Sequence, residues 1–366
     1  MSGFHKITES CLSVTGTKLK NNLLVLSSGI PSLDYVIGML VVMIYVLGSY
    51  SRVLTKYFIA EGVVCNHDLL LFSADENPEE IVKELPQPCV VQKDDKINKV
   101  PQDEMKIAWR YEGLAQVESS FDDETNFGHH FDLSRYIDTD TIKKSNITYC
   151  FLNPVDNGKK VLYVNFSAFK NGLFTQTLNK IKDVLANDLY RRSSKKKNIL
   201  RISIHLLGSP IWMAMDCDEE LIDNKYGHDL IKFMYCLRIL LRDTNAVAFI
   251  TIPSHLFDVS SLGIKLLYSM DNAVRIESFA GSDKETNPVF NEYHGLFHLT
   301  KLSALYSLVP FVPSSLDLAF KLKRKKFVIE KLHLPPELEE SSEREQDDIT
   351  AVPRGCGGFR KKDIEF

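Results

Sequence analysis

The chain has 366 residues, 44% of them hydrophobic, and a formal net charge of −4. This balance suits a globular chain with one large domain or two medium ones. It excludes a chain that is basic overall, so any contact with RNA must come from a local basic surface. The seven cysteines, at positions 11, 65, 89, 150, 217, 236 and 356, include no C-x-x-C pair. Their odd number and scattered spacing argue against a disulfide framework or a zinc site and for a reducing compartment.

Met1–Lys6 has no apolar stretch of the secretory kind. Residues 1–22 are mixed and polar and read as a flexible N-terminal arm. Leu23–Leu26 is a short apolar run suited to an edge strand. Ser27–Gly38 then reads as a turn and a short apolar helix, with Pro31 in its first turn and Gly38 at its end. Met39–Leu47 is apolar and of strand length, too short to cross a bilayer. Gly48-Ser49-Tyr50-Ser51 turns the chain into a helix predicted to close at Gly62.

A strand, a turn of small residues and a helix form the architecture of a phosphate-binding loop. The chemistry of that loop, G-x-x-x-x-G-K-[ST], uses backbone N–H groups to cradle phosphate and a lysine to neutralise it. Here the turn has one glycine, no lysine and a bulky Tyr50. Gly48, Ser49 and Ser51 are therefore candidates only for a degenerate nucleotide site.

Asp68–Ala74 is a second apolar run, continuous as in a parallel sheet covered on both faces. A helix follows, with Asn77 as cap, Pro78 at its first position and acids in its first turn, and Pro86 stops it. Residues 88–105 read as a loop, Met105–Tyr111 as a short strand and 112–149 as irregular. Tyr163–Phe166 is a candidate strand. Phe174–Leu185 is an amphipathic helix with Leu178, Ile181 and Leu185 on one face. Strands are predicted at Ile199–Leu207, Ala246–Ile252, Ala273–Phe279, Gly295–Leu302 and Lys326–Leu332, and helices at His228–Arg242 and Leu262–Met270. Asp317–Lys325 separates the last two strands.

Glu337–Asp348 is acidic and Gly355–Gly358 is glycine-rich, so 336–366 reads as a disordered tail. Residues 23–335 remain as one α/β domain, with a mostly parallel central sheet and antiparallel C-terminal strands. No linker rich in proline, glycine or serine divides it.

A Walker-type site also needs a carboxylate on a second strand to hold Mg²⁺. Ile199–Leu207 runs instead into Gly208-Ser209-Pro210, and Asp216 and Asp218 beyond it suit a solvated turn. His129, His130 and Asp132 are candidate metal ligands, but adjacent histidines in a strand point to opposite faces, so surface or packing roles are favoured. Trp109 beside Arg110 reads as packing around a paired or snorkelling guanidinium.

Two stretches are basic. One contains Arg191, Arg192, Lys195, Lys196 and Lys197; the other is Lys321–Lys326, flanked by Phe320 and Phe327. Both are compatible with contacts to an RNA backbone, but composition alone favours solvated faces that protect strand edges. Ser254 and His255 follow the strand Ala246–Ile252, where open parallel sheets place their ligands.

Several segments together carry a family resemblance. They are Ser28–Asp34, Lys56–Gly62, Met105–Tyr111, Phe127–His130, Asn198–Ile202, Leu207–Trp212, Gly281–Pro288, Tyr293–Leu296, Asp317–Lys325 and Glu330–Pro336. In this order they resemble the PAXNEB-like family of Elongator complex subunit 4 proteins. Members usually continue past the position of Gly38 with more glycines and a turn, whereas here the chain goes straight into Met39-Leu-Val-Val.

The resemblance implies a RecA-like domain without working Walker motifs. It implies an accessory, non-catalytic subunit that joins Elongator subunits 5 and 6 in a hetero-hexameric ring. Such a ring binds tRNA and works with the catalytic subcomplex of subunits 1 to 3, which modifies the wobble uridine (U34). It further implies no cofactor of the chain's own, no membrane partner, and residence in the cytoplasm, with the nucleus as a second compartment. Ser254, His255, Arg191 and Lys195–Lys197 are then expected near RNA, and Lys323, Arg324 and Lys325 near RNA or a neighbouring subunit. An alternative is a ring ATPase whose atypical, shared nucleotide site controls tRNA release.

Overall fold

The continuous apolar runs become the middle of a single sheet. The computed structural model describes residues 14–20, 23–37, 42–46, 49–89, 127–152, 172–192, 194, 197–212, 222–253, 261–302 and 312–333. The first elements are β1 (Thr17–Lys20), β2 (Leu23–Leu26), α1 (Pro31–Ile37), β3 (Val42–Val46), α2 (Ser49–Val64), β4 (Asp68–Ser73) and α3 (Pro78–Lys83). Next come β5 (Pro86–Pro88), β6 (Phe131–Tyr136), α4 (Thr139–Lys144), β7 (Ile147–Phe151), α5 (Gly172–Leu185), β8 (Leu200–Ile204) and α6 (Ile222–Leu241). The chain continues through β9 (Ala246–Ile252), α7 (Ser261–Ser269), β10 (Asn272–Ser278), α8 (Asp283–Thr286), β11 (Gly295–Lys301), β12 (Leu318–Leu322) and β13 (Phe327–Lys331).

Nine strands form the main sheet in the order β13-β12-β11-β10-β3-β9-β8-β4-β7. The strands from β10 to β7 pair in parallel, and β11, β12 and β13 extend the sheet antiparallel. This is the mostly parallel sheet with antiparallel C-terminal strands that the sequence predicts.

Alternation sends successive side chains to opposite faces. Leu69 and Leu71 of β4 join a core with α1, α2 and α3, while Leu70 and Phe72 join a core with α5, α6 and α7. Covering both faces explains the unbroken apolar run: each buried leucine contributes roughly 1.5–3 kcal/mol.

Four sequence expectations change. Gly62 does not close α2, which runs on to Val64; Asn66, at φ 56, then turns the chain. Gly62 is there for packing, since a Cβ at this position would press on Leu69 and Arg201. Residues 131–136, 139–144 and 147–149, expected to be irregular, form β6, α4 and the first part of β7. β7 is the sheet's edge, and its mixed exposure conceals the apolar signal. Leu318–Leu322 is a strand of its own rather than a connection. Thr17–Lys20, within the predicted arm, pairs with β2. The segments Met105–Tyr111 and Tyr163–Phe166 lie outside the described residues, as does the tail from residue 334.

Candidate functional site

The turn between β2 and α1 is built around Asp34. Its carboxylate accepts the Ser27 hydroxyl at 2.5 Å and the Ser28 N–H at 2.8 Å. The Ser27 hydroxyl in turn accepts the Gly29 N–H at 3.0 Å. Gly29 has φ +85, and its Cα packs against the Tyr57 carbonyl with no room for a side chain. Burial raises Asp34 to about 7, outweighing these hydrogen bonds. From this turn Ser32 accepts the Ile329 N–H at 3.2 Å, while the Tyr57 hydroxyl of α2 accepts that of Phe327 at 3.0 Å. The outer edge of β13 is thereby capped by side chains instead of by another strand.

Beneath α2 lies a charged core. Arg201, on β8, is fully buried; its Nε–H donates to His67 Nδ1 at 3.0 Å and its Nη1 to the Phe58 carbonyl at 3.3 Å. Its guanidinium also stacks over Phe58 at 4.9 Å. His67 Nε2 faces the Thr15 carbonyl at 2.8 Å. A carbonyl only accepts and Arg Nε only donates, so His67 is neutral with its proton on Nε2. Burial, and then the Arg201 charge, pushes its pKa down to about 3. Burial would raise Glu61, but the hydrogen bond from His129 and the charges of Arg201 and His129 win and hold it below its ordinary value.

The carboxyl ends of the parallel strands gather a second polar group. The chain leaves β3 toward β4 on one side and reaches β10 from β9 on the other. That reversal marks where open α/β sheets bind ligands. Arg52, in the first turns of α2, bonds Glu76 at 2.6 Å and Glu84 at 3.1 Å, and Lys56 bonds Glu84 at 2.6 Å. Ser73 donates to Asp75 at 2.7 Å, and His205 Nε2 lies 3.9 Å from Asp75. Thr251 links β9 to this group through the Leu206 N–H at 2.8 Å, where Leu206 has φ 47. Burial lowers His205 and raises Glu76. The arrangement offers carboxylates and a neutral imidazole, but its nearest cations are already engaged by acids. A phosphate would have to displace those acids to reach Arg52 or Lys56.

The predicted site residues divide between the sheet's two edges. Ser51 is buried at the start of α2, while Gly48 and the Ser49 side chain lie outside the described residues. Ser254, His255, Lys195 and Lys196 lie outside them as well. Arg191, exposed and 3.3 Å from Asp188, precedes β8 at the amino edge, and Lys197 is half-buried beside it. Lys323, Arg324 and Lys325 are exposed in the β12–β13 turn. Because β12 runs parallel to β10, that turn stands at the carboxyl edge, on the side of the α2 N-terminus. Arg191 and Lys197 therefore stand at the opposite sheet edge from Lys323, Arg324 and Lys325.

His129 and His130 do not pair, and Asp132 accepts from Ser134 instead. Sequence reasoning missed Arg52, Asp75, Glu76 and His205. The signal was the acidic pair standing directly after the apolar strand β4. The strand β8 does lack a terminal carboxylate, as expected, but its neighbour β4 supplies two acids at the same edge.

These features define an α/β protein with a parallel-centred sheet and a strand-turn-helix unit that lacks the lysine of a phosphate loop. The PAXNEB protein family matches residues 12–366, and the chain belongs to that family. It is 37% identical over 371 residues to Elongator complex protein 4 of Danio rerio, covering 94% of this chain and 90% of that one. To the Mus musculus and Homo sapiens proteins of the same name it is 38% and 36% identical, covering 97% of this chain and 89% of each. Among the described residues no helix is long and apolar enough to cross a membrane.

Proposed function

We propose that this chain is a non-catalytic subunit of an Elongator complex. In this reading it adopts a RecA-like fold and joins subunits 5 and 6 in a hetero-hexameric ring. The ring binds tRNA and supports wobble-uridine modification carried out by the catalytic subcomplex, in the cytoplasm and the nucleus. The observation that carries the proposal is the kinship, nearly end to end, with proteins named Elongator complex protein 4.

The geometry supports the parts of this reading unequally. The strand order β10-β3-β9-β8-β4, with the helix-led turn after the central strand, suits a nucleotide-fold ancestor. The missing lysine, and the acids that hold Arg52 and Lys56, favour a scaffold over a working ATPase. Exposed Tyr235, Ile239, Ile264 and Tyr268 spread apolar surface over α6 and α7, as a subunit with neighbours would. The exposed turn Lys323–Lys325 offers Arg324 and Lys325 to a phosphate backbone, with Lys323 3.7 Å from Glu330 beside them.

The test is tRNA binding by the assembled ring over a salt series. Replacing Lys323, Arg324 and Lys325 together with alanine should weaken binding and flatten the log–log salt slope by about 2, at roughly 0.7–0.9 per lost phosphate contact. An unchanged affinity and slope would remove this turn from the RNA surface. The second reading, a ring ATPase with a shared atypical site, draws on Asp75 and Glu76 at the carboxyl edge. It requires that Glu76→Gln lower hydrolysis by the ring.

A further inference from the structure

At the amino edge, Glu61 in the last turns of α2 and Cys65 just past its end lie one turn apart, with Cys65 Sγ 3.5 Å from Glu61 Oε1. His129 closes on the same carboxylate: its Nδ1 lies 3.2 and 3.1 Å from the two oxygens, and its backbone N–H donates to one at 3.2 Å. Donor atoms of the three side chains all lie within 4.8 Å of one another, the one such group among the described residues.

We propose that Glu61, Cys65 and His129 form a zinc site that clips residues 127–130 onto the end of α2. Zinc binds sulfur, imidazole nitrogen and carboxylate oxygen at about 2.0–2.3 Å, which places tetrahedral donors roughly 3.3–3.8 Å apart. The observed separations, within 4.8 Å, need an adjustment of about an ångström at most places to meet that shell. A thiol, an imidazole and one carboxylate suit a borderline ion, whereas calcium and magnesium call for an oxygen shell. Glu61 and Cys65 are buried and the His129 side chain is 45% exposed, so the ion has a route in and water has access to a fourth position.

The loop is already set for the task. Gly128, at φ +86, packs its Cα against Ser27 and Asp34, and this fixes the backbone that carries His129. Arg201 opposes a cation here, and burial, followed by the Glu61 charge, pushes the Cys65 thiol up to about 12, so the metal itself must displace the thiol proton. Binding forms a Zn–S bond as the thiol proton leaves to solvent. The proton that His129 Nδ1 donates to Glu61 also leaves, and the neutral ring carries its proton on Nε2, so that Nδ1 supplies a lone pair. Without metal, the same groups form a hydrogen-bonded Cys–Glu–His cluster, and the experiment separates the two cases.

The full chain, stripped with chelator, is titrated with cobalt. The expected result is one equivalent bound, with a thiolate-to-cobalt charge-transfer band that zinc abolishes. Cys65→Ser and His129→Ala should each lose the band, and Cys89→Ser, at an exposed cysteine, should keep it. Should Cys65→Ser fail to fold, the half-exposed His129→Ala decides, with circular dichroism to verify its fold. A folded wild-type chain that binds no stoichiometric cobalt would overturn the proposal. So would a band that survives Cys65→Ser or His129→Ala.

Discussion

Replacing Asp34 with asparagine tests how the opening turn is held. The carboxyl is fully buried and raised from 3.8 to about 7. Between those values the folded chain holds a proton that the unfolded chain has released. The stability this contributes is therefore complete below pH 3.8 and is lost as pH rises through 7. The linkage is about 1.4 kcal/mol for each pH interval of one, or roughly 4 kcal/mol across the window. Asparagine keeps an oxygen for the Ser28 N–H and places a donor toward Ser27, without a charge to bury. His67, pushed down to about 3, acts in the opposite sense, weakening the fold as pH falls below 6.5. It is common to both proteins and cancels in their difference. Urea unfolding at pH 8 and pH 5 is the assay. Asp34→Asn should hold its largest advantage over wild type at pH 8, and that gap should shrink by roughly 3 kcal/mol at pH 5. Parallel profiles for the two proteins would refute a buried, raised carboxyl at Asp34.

Arg201→Ala should cost roughly 3–5 kcal/mol in urea unfolding, because it removes a fully buried cation, leaves His67 without its donor and takes a positive charge from beside Glu61. Arg201→Met, which keeps most of the volume, should cost less. Gly29→Ala should cost roughly 2–4 kcal/mol, since the new Cβ meets the Tyr57 carbonyl at a positive φ. Gly281→Ala, also at positive φ but with nothing within 4 Å, should cost about 1 kcal/mol. Equal losses at the two glycines would show that backbone strain, and not the contact with α2, sets the cost.

The parts of the fold that sequence exposes are those whose burial is uniform. β4 and β8 are buried along their whole length; Leu69–Phe72 reads as an unbroken apolar run, while Arg201 and Ser203 interrupt the apolar residues of β8. β7 and β6 are half-exposed, and β12 ends in lysine and half-buried leucine, so each resembles a loop. Gly62 misled for a different reason: a glycine chosen for close packing looks the same in sequence as one chosen to end a helix. The absent phosphate-loop lysine was plain from Gly48–Ser51 alone. The polar groups that do occupy the carboxyl edge were not, because they come from α2, β4 and β8 and meet only once those elements are side by side. Arg201 left a trace, a lone cation within an apolar strand, but its partners His67 and Glu61 lie more than a hundred residues earlier in the chain.

The central claim concerns assembly, so the most direct measurement is native mass spectrometry of this chain co-expressed with Elongator subunits 5 and 6, with and without tRNA. The account predicts a mixed six-membered ring that takes up tRNA. A chain that stays alone, or pairs only with itself, would contradict it.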